Sequence, residues 1–138
     1  MKNRTIEEYI ETIHALEKRD GRAQTGAIAA EMGVKPPSIT QMLQKLEKEG
    51  LIEYESYSGA RLTPAGMKLA SELNRRHRTI ADFLLIIGVP EERAESDACR
   101  IEHNISPDTV SEIGRFVEFL QEDTDAKALL DSYRSRRD

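Results

Sequence analysis

The sequence predicts a mainly α chain, with a short helical head that closes on a two-stranded hairpin followed by a purely helical second unit. Three observations carry this. Apolar residues recur at helical spacing along most of the chain. One stretch alone, around residues 51–63, reads as two short strands about a turn. Aromatic residues make up 5% and Trp is absent, so the core is left to Leu, Ile, Val, Met and Ala, a set that suits helices.

The elements follow in order. Thr5 to Lys18 reads as a helix with Ile6, Tyr9, Ile10, Ile13 and Leu16 as its apolar stripe, Thr5 as cap and Glu8 completing a capping box. Thr25 to Met32 is a short helix with Ile28, Ala29 and Met32 inward, and Gly33 suits the left-handed residue of a tight turn. Pro36 and Pro37 fit only a first helical turn, so Ser38 to Glu49 continues as a third helix closed by Gly50, with Ile39, Met42, Leu43 and Leu46 inward. Leu51–Glu55 and Ala60–Thr63 are strand-like about Ser58-Gly59. Thr63-Pro64 opens a long helix reaching about Ile87, which Gly88-Val89-Pro90 breaks. Helices over Glu91–Asn104, from the Ser106-Pro107-Asp108 cap to about Leu120, and over about Asp125–Tyr133 complete the chain. The expected domains are residues 1–63 and 64–138.

At 138 residues the chain buries a modest core that dimerisation would reinforce. With 33% charged and 38% hydrophobic residues it is an ordinary globular composition. The longest apolar run, Phe83 to Ile87, is far short of the roughly 20 residues that span a bilayer. The first residues lead into an amphipathic helix rather than a signal peptide, so the expected compartment is the cytoplasm, with no membrane partner. The single cysteine, Cys99, has no intrachain disulfide partner and stays available as a thiol. The net charge of −5 is unevenly spread. Residues 1–75 hold 11 Lys/Arg and 11 Asp/Glu, whereas residues 76–138 hold 9 and 14. A polyanion would have to meet a local basic patch on the first half, and the acidic second half is the better place for a cation.

Helix, short helix, tight turn, helix and hairpin is the order of a winged helix-turn-helix. In that arrangement the helix after the turn reads the major groove with its N-terminal residues. Here those are Pro37, Ser38, Thr40, Gln41 and Gln44, hydrogen-bonders and an apolar contact suited to base edges. Lys35, Lys45 and Arg61 suit phosphates. The same face also reads as a plainly solvated one, and winged heads serve as protein-interaction modules too. A neutral head steers weakly to DNA, so paired heads in a dimer would supply the affinity.

The second constellation is metal-like. Glu8 and Glu11 share a face of the first helix. Glu95, Cys99, Glu102 and His103 fall within an arc of roughly 100° on one helix. His77 lies on the long helix. Carboxylate, imidazole and thiolate together suit a first-row divalent metal. Each residue has an ordinary reading as well: Glu8 as a capping partner, Glu11 and Glu95 as solvated charges, Cys99 as a small hydrophobe, His77 and His103 as half-buried histidines. Only their conjunction points to chelation.

On these residues the sequence resembles the metal-dependent repressor family of the diphtheria toxin repressor and the manganese transport regulator. The likeness runs from Thr5 to about Leu120. It is carried by Glu8-Tyr9-Ile10-Glu11, the segment Pro37 to Leu46, Leu62-Thr63-Pro64-Ala65-Gly66, His77-Arg78 and the segment Asp97 to His103. The resemblance implies a homodimer that binds a palindromic operator when Fe²⁺ or Mn²⁺ is loaded and represses metal-uptake genes. Other divalent transition metals, such as Zn²⁺ or Co²⁺, are expected to enter the site in vitro. By position, Glu8, Cys99, Glu102 and His103 match one metal site, and Glu11 and His77 match ligands of the neighbouring site in manganese-type members. The pattern is a hybrid. Position 99 is Cys, as in iron-type members, where manganese-type members carry Glu. Position 8 is a carboxylate where the iron type has a thioether. Ala81 and Glu95 stand where iron-type members place ancillary ligands. The two-domain length is that of the manganese type.

The implied mechanism has a metal held across Glu8 and Glu11 of the head and Cys99, Glu102 and His103 of the second domain. In a dimer it would set two recognition helices about one turn of DNA apart, roughly 34 Å. The metal thereby selects a DNA-competent state. Neither a nucleophile–base–orienter set nor a small-molecule substrate site is visible, so an enzyme is not expected. The alternative is a metal-independent winged-helix module that binds DNA or protein.

Overall fold

The computed structural model describes residues 2–137, with side chains from residue 5 onward. It contains α1 (Lys2–Asp20), α2 (Thr25–Met32), α3 (Pro36–Lys48), β1 (Ile52–Glu55), β2 (Gly59–Leu62), α4 (Pro64–Ile86), α5 (Glu91–Glu102), α6 (Pro107–Glu122) and α7 (Thr124–Arg137). The chain divides into two compact units, residues 1–74 and 75–138. The boundary falls within α4, while the strands and α1–α3 lie wholly in the first unit.

In the first unit one core gathers the expected stripes. Tyr9, Ile10, Ile13 and Leu16 of α1, Ile28 and Ala29 of α2, and Ile39, Leu43 and Leu46 of α3 are buried together. Ile52, Ala60 and Leu62 of the strands and Ala70 and Leu73 of α4 join them. The turn between α2 and α3 needs its glycine, because Gly33 adopts φ +66 and its N–H reaches the Ala29 carbonyl. Pro36 opens α3, where its missing N–H is no loss.

The strands pair antiparallel, from Ile52 opposite Leu62 to Glu55 opposite Gly59, which leaves Ser56, Tyr57 and Ser58 as the tip of the hairpin. The hairpin is fastened to the rest of its unit. Ala23 and Ala60 exchange backbone hydrogen bonds at 2.9 and 2.8 Å. The Leu62 N–H donates to the Glu17 carboxylate at 2.9 Å, and the Tyr54 N–H to that of Glu47 at 3.1 Å. The Gln24 amide donates to the Ser58 carbonyl at 3.0 Å. Gly59 makes the close approach possible: it sits at φ +92, and a Cβ there would meet the Ala23 oxygen at 2.5 Å.

In the second unit Ile80, Ala81, Ala98 and Val110 form one cluster, and Ile86, Val117, Leu120 and Ala126 another. Ser106 caps α6 by accepting the Thr109 N–H at 3.3 Å.

Several boundaries differ from expectation. α1 starts at Lys2, so Thr5 lies inside the helix and the Thr5–Glu8 capping box does not form. No residue before Thr5 stops a helix, and continuation wins over the local cap signal. α3 begins at Pro36 rather than Ser38, and α7 runs to Arg137 rather than ending near Tyr133. α5 ends at Glu102, which makes His103 its C-cap residue instead of a helical one.

Candidate metal centre and nucleic-acid interface

On α3 the buried stripe of Ile39, Leu43 and Leu46 fixes what faces out. At about 100° per residue, Pro37, Gln41 and Gln44 lie opposite that stripe, with Ser38 and Lys45 on one flank and Thr40 on the other. Lys35, Pro37, Ser38, Gln41, Gln44 and Lys45 are all exposed, as is Arg61 on β2. Thr40 is half-buried and its hydroxyl donates to the Pro36 carbonyl at 3.3 Å, which leaves it less available than its neighbours. Tyr57, at the hairpin tip, is 97% exposed. Sequence reasoning passed over it, although an aromatic residue in an otherwise polar turn was a readable signal.

The acidic second unit brings a donor set together at the end of α5. One donor atom each from Cys99, Glu102 and His103 lie within 4.8 Å of one another. Donors on a single cation, bonded at about 2.0–2.3 Å, stand at most about 4.6 Å apart. The triad lies near that limit and would close somewhat around a first-row divalent ion, and thiolate, carboxylate and imidazole are the chemistry such an ion takes. Cys99 is exposed, whereas Glu102 is 0% exposed. A carboxylate so deeply buried is costly unless positive or polar groups surround it. His103 Nε2 stands 3.2 Å from Glu102 Oε1, and His77 Nδ1, reaching from α4, stands 3.2 Å from Glu102 Oε2. The Arg76 guanidinium donates to the Glu102 carbonyl, tying the last turn of α5 to α4.

The other ring nitrogen of His77 is also engaged: Nε2 meets Glu95 Oε2 at 2.5 Å. Arg78 lies 3.6 Å from Glu95 Oε1. The hydrogen bond from His77, against some opposing desolvation, and then the charges of His77 and Arg78 hold the Glu95 carboxyl below its ordinary range. The spacing on α5 singled out Glu95 but not its partner, which lies on another helix. Arg76 was missed altogether. Glu8 and Glu11 are half-buried on α1, in the first unit.

A winged helix-turn-helix head followed by a helical unit is the architecture of a DNA-binding transcriptional regulator. Residues 1–60 match the iron dependent repressor N-terminal DNA binding domain, and residues 63–129 match the iron dependent repressor metal binding and dimerisation domain. The chain belongs to the iron-dependent repressor family. It is 38% identical over 132 residues to the HTH-type transcriptional regulator MntR of Lysinibacillus sphaericus, covering 96% of this chain and 95% of that protein. To MntR of Bacillus subtilis it is 39% identical over 132 residues, covering 96% and 93%. Among solved structures it resembles the apo form of the manganese-activated repressor ScaR, with TM-score 0.71 and 32% identity over 81% of this chain. This chain spans 54% of that ScaR chain, about half its length.

Proposed function

We propose that the chain is a divalent-metal-dependent repressor that binds palindromic operator DNA as a homodimer and controls genes of metal-ion uptake or homeostasis, with Fe²⁺ or Mn²⁺ as its cofactor. The observation that carries the metal part is the convergence of Cys99, Glu102 and His103 donors within 4.8 Å. Membership of the repressor family, with its DNA-binding and metal-binding and dimerisation domains, supports the rest. We take residues 1–63 as the DNA-binding domain and 64–138 as the metal-binding and dimerisation domain.

The proposed ligands are Glu8, Glu11, His77, Cys99, Glu102 and His103. For Glu8 and Glu11 the support is their shared face on α1 and the sequence resemblance. A bound cation supplies the positive charge that lets thiolate and carboxylates share one locus. Glu102 is held rigidly for this by its burial and by Arg76 on its carbonyl. Cys99, at the exposed edge, leaves a way in for the ion.

For DNA, Pro37, Ser38, Thr40, Gln41 and Gln44 are the proposed base-reading set, and Lys35, Lys45 and Arg61 the phosphate contacts. Tyr57 on the hairpin tip joins them. The family is one of transcriptional regulators, and we read this chain as a regulator without a catalytic step. Among the described residues no helix is long and apolar enough to cross a membrane, in keeping with the cytoplasmic placement we propose.

The test is operator binding, followed by fluorescence anisotropy, with Mn²⁺, anaerobic Fe²⁺, Zn²⁺ or chelator. Wild type should bind tightly with metal and weakly with chelator, and His103→Ala should remain at the chelator level while keeping its helical circular dichroism. Binding that ignores chelator in both proteins would instead favour a metal-independent winged-helix module.

A further inference from the structure

Glu95 shares a face of α5 with Cys99 and Glu102 but has no role in the proposed ligand set, and its geometry gives it one. Its Oε2 receives His77 Nε2 at 2.5 Å, and its Oε1 lies 3.6 Å from Arg78. An ionised carboxylate can only accept, so the hydrogen on this bond belongs to Nε2. That fixes the ring. With Nε2 turned to Glu95, Nδ1 faces Glu102 Oε2 at 3.2 Å. With Nε2 committed to Glu95, Nδ1 is the ring nitrogen left to face Glu102 and any cation bound beside it. Histidines that bind metals commonly give their second N–H to a carboxylate, which sets the tautomer and makes the ligating nitrogen more basic.

We infer that Glu95 is a positioning residue for the metal centre: it does not bind the ion itself but holds His77 so that Nδ1 is the nitrogen offered toward Glu102 and the cation. This rests on the ligand set proposed above, specifically on His77 belonging to it. It also accounts for why a residue so close in helical register to Cys99 and Glu102 turns away from them. The donor atoms of Cys99, Glu102 and His103 converge, whereas the Glu95 carboxylate is taken up by His77 and Arg78.

The full-length protein tests this by isothermal titration with Mn²⁺ and by the visible and near-ultraviolet absorption of the Co²⁺ form. The variants are Glu95→Ala, Glu95→Gln, His77→Ala and the Glu95→Ala/His77→Ala double, each checked for helical content. Glu95→Ala should weaken Mn²⁺ binding by about ten- to hundredfold, the range seen when such outer partners are removed. Glu95→Gln should recover most of the loss, because its amide carbonyl accepts the same N–H. In the His77→Ala background Glu95→Ala should cost nothing further. The Co²⁺ thiolate absorption should persist in every variant, since Cys99 is untouched. Wild-type affinity in Glu95→Ala would overturn the inference, as would no recovery in Glu95→Gln or an undiminished loss on the His77→Ala background, which would make Glu95 a direct ligand. If wild type itself bound neither ion, the underlying metal reading would fail, and this inference with it.

Discussion

The carbonyl oxygen of Ala23 occupies the place where a side chain on residue 59 would begin, 2.5 Å from the position of a Cβ on Gly59. The same glycine adopts φ +92 and ends the turn of the hairpin. Backbone hydrogen bonds between Ala23 and Ala60 on the adjoining residue hold the contact closed. Gly59→Ala therefore meets two penalties, a left-handed conformation that disfavours a Cβ and an overlap with backbone that cannot move away cheaply. Together they should cost about 2–4 kcal/mol. Chemical denaturation should show a lower midpoint, whereas Ser56→Ala on the same tip should unfold as wild type does.

The fastening of that hairpin gives Tyr57 its interest. A large aromatic side chain that is 97% exposed gains nothing for the fold, yet the loop carrying it is anchored by Gln24 on the Ser58 carbonyl. A rigid support of this kind suits contact with a nucleic-acid backbone or groove. Tyr57→Ala should weaken metal-loaded operator binding by about five- to tenfold, leave the folding midpoint unchanged and leave the salt slope nearly unaltered, because no charge is removed. Lys45→Ala should instead lower the slope of log affinity against log salt by about one. Equal salt slopes in wild type and Lys45→Ala would remove Lys45 from the interface.

Much of this was legible in the sequence because burial follows helical period. Ile39, Leu43 and Leu46 fall on one stripe of α3, which leaves Pro37, Gln41 and Gln44 outside before any coordinate is known. The Cys99, Glu102 and His103 grouping was legible for the same reason, being local to one turn. What escaped was non-local or decided by competition. Glu95 and His77 lie on different helices, and no spacing rule pairs them. Arg76 reaches the Glu102 carbonyl only once α4 and α5 pack. At Thr5 a good capping pattern lost to a helix that had already begun at Lys2.

In the proposed ligand set Cys99 is the residue that would set the metal preference. A thiolate favours softer ions over the oxygen-loving Mn²⁺. Cys99→Ser should abolish the thiolate-to-Co²⁺ charge-transfer band and weaken Co²⁺ and Zn²⁺ more than Mn²⁺. Competition titrations with a chromophoric chelator measure both. An unchanged band in Cys99→Ser would exclude the thiol from the ligand set.

The last prediction concerns the partner copy. On α6, Val110, Val117 and Leu120 are buried, while Phe116 and Phe119, three residues apart on another face, are 51% and 53% exposed. Two half-bare phenylalanines on one helix face form an apolar patch of the sort that a self-associating surface covers, and residues 63–129 match a dimerisation domain. A charge placed at the centre of such a contact would be desolvated without a partner. Phe119→Asp should therefore raise the dimer dissociation constant at least about tenfold, measured by sedimentation equilibrium, with helical content unchanged because the residue lies outside the buried clusters. Operator affinity should fall with it, since the two heads would no longer act as one bivalent ligand. A Phe119→Asp protein that remains dimeric at the same concentrations as wild type would assign the contact to a different face.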